Sequence, residues 1–137
     1  MAMYEYHPIE AKWLGKLPEN DRQEVFFDVG AALEKIGVTS AKEFLIYTFV
    51  TTRHDSKQFQ RGYYEMYTSE NDQQYKKYMN VATGPGITTI DSANLWFPMG
   101  DGKFKITLIH PPSKKTSIKS PLAGEQWSDV YLTGYRN

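Results

Sequence analysis

The stretch from Phe44 to Thr52 reads Phe-Leu-Ile-Tyr-Thr-Phe-Val-Thr-Thr, nine β-branched, aromatic or leucine residues without a Gly or Pro among them. Side chains of this kind are stiff at the first torsion and suit a pleated surface better than a helix, so the run predicts a strand buried on both faces or nearly so. Such a strand belongs in the middle of a sheet. Ser40 and Glu43 have the spacing of a capping box, but the low helix propensity of residues 44–52 makes strand the stronger reading.

Most of the remaining chain has the same short, alternating character. Gln58 to Thr68 places Phe59, Arg61, Tyr63, Glu65 and Tyr67 on one side and Gln60, Gly62, Tyr64 and Met66 on the other, and the turn-like Arg53-His54-Asp55-Ser56 before it suggests a hairpin with the preceding strand. Met99-Gly100-Asp101-Gly102 is a tight-turn signal in front of Lys103 to Ile109, where Phe104, Ile106 and Leu108 alternate with Lys103, Lys105 and Thr107. Short strands are also expected at Ile87 to Ile90, Asn94 to Pro98 and Trp127 to Tyr135. His110-Pro111-Pro112 ends a strand because proline cannot donate to a ladder, and Ser113 to Gly124 reads as a Lys/Ser/Pro loop.

A helical period stands out once. After Leu17-Pro18-Glu19-Asn20, with Asn20 and Gln23 at capping-box spacing, apolar residues fall at Val25, Phe26, Val29, Leu33 and Ile36, and Gly37 suits a left-handed stop. This predicts a helix over residues 21–36. A shorter helix capped by Asn71 is expected within Ser69 to Asn80, where Tyr75, Tyr78 and Met79 stand at helical steps. The sum is an α+β fold: an antiparallel sheet of five to six strands with the helix of residues 21–36 packed on one face, in a single domain over residues 1–137. Parallel doubly wound folds need a helix between successive strands, and too few are available.

With 137 residues, the chain is long enough for one proper core without a metal or disulfide staple. It has no cysteine, which excludes disulfides, a thiol nucleophile and thiolate metal sites. Residues Met1 to Trp13 lack the apolar run of a signal peptide, and the longest strongly apolar stretch, Phe44 to Val50, is far below the roughly 20 residues of a membrane span. A soluble cytoplasmic protein without membrane partners is expected. Sixteen basic and sixteen acidic residues cancel, which disfavours indiscriminate nucleic-acid binding. The balance is uneven along the chain, with seven acids against four bases in residues 1–36 and Asp101 alone against Lys103, Lys105, Lys114, Lys115 and Lys119 in residues 98–120.

Chemistry-bearing patterns are sparse. His54 and His110 could cleave a phosphodiester as general base and general acid, with Lys114 or Lys57 stabilising the added charge, although neither histidine sits in a recognised catalytic pattern. No H-x-x-x-H or E-x-x-H pair occurs, so no metal site is expected, and no cofactor is implied. Gly84-Pro85-Gly86 lacks the frame of a phosphate loop, and no G-x-S-x-G elbow exists.

The unusual feature is aromatic content: ten Tyr, seven Phe and three Trp, 15% of the chain. Tyr and Trp recur at interfaces because a large apolar body carries a polar tip. Tyr63, Tyr64, Tyr67, Tyr75 and Tyr78 form the densest cluster, and neighbouring Tyr63 and Tyr64 must point to opposite faces of a strand. With Arg53, Arg61 and Lys115 they make a candidate binding surface. The expectation is a small protein-binding or inhibitory, immunity-type domain that uses an aromatic, partly charged surface. The alternatives are a small-molecule-binding or enzymatic pocket and the His54/His110 phosphodiesterase. Oligomeric state is not encoded in any pattern found.

Overall fold

A computed structural model describes residues 5–19, 22–52, 60–70, 73–83, 89–109 and 128–137. Alternation of buried and exposed side chains dominates it, and the elements in chain order are β1 (Tyr6–Gly15), β2 (Glu24–Asp28), α1 (Val29–Glu34), β3 (Glu43–Thr52), β4 (Gln60–Glu70), β5 (Gln73–Thr83), β6 (Thr89–Pro98), β7 (Lys103–Ile109) and β8 (Ser128–Arg136). They form two four-stranded antiparallel sheets, one ordered β1-β8-β3-β6 and the other β2-β7-β4-β5.

The two inner faces meet in one core. Phe44, Ile46, Val50 and Phe97 of the first sheet and Tyr64, Met66, Phe104, Ile106 and Leu108 of the second belong to a single buried cluster. Phe104 reaches across to Phe97 at 4.8 Å and to Phe44 at 5.8 Å between ring centroids. An alternating strand buries half its side chains, and facing sheets bury both inner sets at once.

Several expectations stand. The fold is sheet-dominated and antiparallel with one short helix. β3 is an interior strand between β8 and β6, and Phe104, Ile106 and Leu108 of β7 are all fully buried. Gly37 adopts φ 82, and Val38 N–H and Gly37 N–H donate to the carbonyls of Leu33 and Glu34, closing the helix on a left-handed residue.

Other expectations are corrected. The described residues contain eight strands, not five or six, and what covers the inner face of each sheet is chiefly the other sheet. The helix over residues 21–36 shrinks to Val29–Glu34. Glu24 to Asp28 is strand β2, because Glu-Val-Phe-Phe-Asp also has period two, with Val25 and Phe27 packed on the core and Phe26 65% exposed. The cap is Asp28, whose Oδ1 accepts from Ala31 N–H at 2.9 Å. Where the second helix is expected, within Ser69 to Asn80, Ser69 and Glu70 end β4 and Gln73 to Asn80 belong to β5, which pairs with β4 residue for residue; Asn71 lies outside the described residues. β3 and β4 are not a hairpin; they lie in different sheets, and β3 pairs with β6 and β8. Thr89 and Ile90, the described part of the short strand expected at Ile87 to Ile90, and Asn94 to Pro98 belong to one strand, β6. Strand β1 has no counterpart in the sequence reading.

Among the described residues, no helix is long and apolar enough to cross a membrane.

Candidate functional site

The site lies on the outer face of the first sheet, which the other sheet leaves uncovered. In β3 the residues that alternate with buried Phe44, Ile46, Thr48 and Val50 are Leu45, Tyr47 and Phe49, and in β8 those that alternate with Ser128, Val130 and Leu132 are Asp129 and Tyr131. Register places Tyr47 opposite Tyr131 and Phe49 opposite Asp129. Trp13 of edge strand β1 pairs with Tyr131, and Asn94 of β6 with Tyr47, so Trp13, Tyr131, Tyr47 and Asn94 make one row across all four strands.

Tyr47, Phe49, Asp129 and Tyr131 line a recess of about 370 Å³. The Tyr47 and Tyr131 rings are tilted by 31° at 6.3 Å. Trp13, 54% exposed, donates its indole N–H to Asp129 Oδ1 at 3.0 Å. A large aromatic in that position is held by a polar bond to the sheet and still offers most of its ring to solvent.

The far end of this face is differently built. The Arg136 guanidinium lies 3.8 Å above the Trp96 ring and pairs with Glu43 Oε1 at 3.3 Å, while Tyr6, 48% exposed, meets Trp96 edge-on at 5.5 Å. Gly134 makes this possible, since a Cβ there would sit 2.7 Å from the Tyr6 ring and 3.1 Å from the His7 carbonyl oxygen. His7 stacks on Tyr135 at 4.8 Å and contacts Asn137 Oδ1 through Nε2 at 3.0 Å.

The tyrosine cluster singled out in the sequence divides. Arg61, Tyr63, Tyr67 and Tyr78 share the outer face of the second sheet, where Tyr63 and Tyr78 meet edge-on at 5.7 Å. Tyr64 faces inward and is 2% exposed; burial holds its phenol above the ordinary range, and the charges of Asp91 and Glu19 push the same way. Tyr75 stands opposite Thr68, exposed at the sheet end. Arg53, His54, His110, Lys114 and Lys115 lie outside the described residues, as do Lys57 and Gly84-Pro85-Gly86.

The tyrosines of the second sheet are largely engaged within the chain. Tyr67 donates to Glu24, which also accepts from Thr107 at 3.2 Å, and Lys76 and Lys105 each sit 5.8 Å from the Tyr67 ring centre. Burial, then the Glu24 hydrogen bond and charge, push the Tyr67 phenol up to about 12. Lys76 pairs with Glu65 at 2.8 Å, and this contact raises its pKa. Beside them, Phe26, Phe27, Asp28, Lys103 and Lys105 line a groove of about 450 Å³.

Among the described residues, no three His, Asp or Glu side chains converge as a metal cage requires. The recess on the first sheet holds rings and a carboxylate, a chemistry suited to recognition. Sequence reasoning missed Trp13, Tyr47, Phe49, Asp129 and Tyr131. The available signal was the period of two inside Phe44 to Thr52 and inside Trp127 to Tyr135, which sets Tyr47 with Phe49 and Asp129 with Tyr131 on one side of each strand. The sequence matches no protein-family model, and no curated protein is significantly similar to it.

Proposed function

We propose that this chain is a protein-binding domain, of the inhibitory or immunity type, that docks its partner on the outer face of the first sheet. The observation that carries the reading is the row Trp13, Tyr131, Tyr47 with Phe49 and Asp129 beside it, aromatic side chains gathered around a recess on the sheet face that points away from the other sheet. Rigid aromatics give up little entropy on binding and dominate interface energetics, and the inward-facing side chains of the same strands already fill the core. The second sheet contributes less in this reading, because Tyr67 is tied to Glu24, Lys76 and Lys105 and Tyr64 is buried in the core.

The test is calorimetric titration of a partner captured by the intact chain, then identified and purified. Tyr131→Ala and Tyr47→Ala should each weaken it by at least about 2 kcal/mol, the scale of an interface hot spot. Tyr78→Ala, on the opposite sheet and 55% exposed, should leave affinity within about 0.5 kcal/mol of the parent. Equal binding by the parent and both first-sheet variants defeats the proposal.

A second reading, a small-molecule site between the sheets, draws on one observation. Asp91 Oδ2 is buried and has no hydrogen-bond partner among the described residues. A ligand donor placed there would satisfy it.

A further inference from the structure

We infer that the recess between Tyr47, Phe49, Tyr131 and Asp129 is a receptor for an organic cation, the Lys or Arg side chain of a basic segment in a protein partner. This rests on the reading of the first sheet's outer face as the docking surface and names the partner's chemistry.

Geometry sets the size. The four residues stand on adjacent strands at two consecutive outward positions, with Tyr47 opposite Tyr131 and Phe49 opposite Asp129. Neighbouring strands lie about 4.8 Å apart and alternate residues of one strand roughly 6.6 Å apart, so the floor of the recess is a small quadrilateral.

Charge selects the occupant. Ring faces carry the negative side of the aromatic quadrupole, and three rings here flank a carboxylate, the arrangement that attracts ammonium and guanidinium groups. Trp13 N–H orients Asp129 through Oδ1, and a neutral donor does not itself cancel the carboxylate's charge. None of the ion pairs among the described residues uses Asp129. The flanking positions on β6, Ser92 and Asn94, are neutral. Arg136, a cation on the same face, is engaged at the other end by Glu43 and Trp96.

An apolar partner pressed on this face would bury Asp129 without compensation, which is costly, whereas a cation converts that cost into a charge-assisted contact. An anionic partner would meet like charge. A two-fold contact with a second copy would bring together two recesses of the same sign, and Arg136 is already held elsewhere.

The experiment is a backbone-amide NMR titration of the full chain with three acetylated, amidated peptides: pentalysine, its analogue with every side-chain amine acetylated, and pentaglutamate. Pentalysine should shift Tyr47, Phe49, Asp129 and Tyr131 and the Trp13 indole N–H saturably, and added salt should weaken it. Acetyl-lysine peptide should bind at least about tenfold more weakly, since acetylation keeps the stem and removes the charge. Asp129→Asn should lose a comparable factor for pentalysine, and pentaglutamate should leave the recess unshifted.

Equal binding of the charged and acetylated peptides, or an unchanged Asp129→Asn, overturns the inference. So does the absence of any shift at the recess. The parent reading is judged separately: a purified partner that loses affinity with Tyr131→Ala yet binds Asp129→Asn at full strength leaves the docking face standing and removes the cation from it.

Discussion

Asp91 lies on the inner side of β6, in line with Ala93, Leu95 and Phe97 and opposite Val50, where a carboxylate is out of place. Burial raises its pKa above the ordinary 3.8, and the bond from the Ala82 backbone N–H only partly opposes this. The folded chain therefore holds its proton over an interval, from the ordinary value up to the raised one, in which the unfolded chain has lost it. Stability falls as pH rises through that interval, and the loss persists above it. Asp91→Asn keeps an acceptor for Ala82 N–H and abolishes the titration. It should melt at a higher temperature than the parent at pH 7, with the advantage shrinking as both are brought below the carboxylate range. Melting curves across pH decide it, and an Asn variant less stable at neutral pH would mean that the charge is compensated in the folded chain.

At the scale of elements, the junction of β2 and α1 shows how a local pattern can satisfy two readings. Val25, Phe26, Val29, Leu33 and Ile36 fit a helical stripe, yet Phe26 points to solvent and Val25 and Phe27 point inward, which is the period of a strand. Pairing with β7 from Glu24↔Thr107 to Asp28↔Lys103 decides the matter, and pairing is not visible from one segment alone. Asp28 ends the strand and caps the helix, so Asp28→Ala should cost about 0.5–2 kcal/mol in chemical denaturation while Asp28→Asn stays near the parent. An equal loss in both would mean that the charge, not the cap, matters. The same limit explains β5. Tyr75, Tyr78 and Met79 stand at helical steps, but Met79 and Val81 alternate inward opposite Tyr64 and Gly62. The two residues left between Glu70 and Gln73, Asn71 and Asp72, have a composition that serves a short hairpin connection as well as it serves a helix start. Where one face was wholly apolar and the other polar, as in Lys103 to Ile109, the sequence alone sufficed. On β3 both faces carry large apolar side chains, so the aromatic half of the candidate site looked like core.

At the scale of the whole molecule, the site and the core depend on the same long-range pairings. Tyr47 and Tyr131 meet because β3 lies beside β8, and the first strand closes on the last, Tyr6 opposite Arg136. Successive strands pass repeatedly from one sheet to the other, so neither sheet is a continuous piece of chain. That dispersion is why the sequence revealed strands and aromatic surplus but not the recess. It also makes a thermodynamic demand. Phe104 of the second sheet packs on Phe97 and Phe44 of the first, and Phe44 and Phe97 are themselves stacked at 5.8 Å. Phe104→Ala empties the centre of that contact and should cost about 3–5 kcal/mol, a large share of the ordinary stability of a chain this size. The loss should be common to both sheets. Amide exchange of the paired residues in β3 and β8 should accelerate by the same factor as that in β4 and β7, although the substitution lies in only one of the sheets. Exchange that speeds up in β4 and β7 alone would mean that the sheets unfold as separate units and that the ring contacts at the core do not couple them.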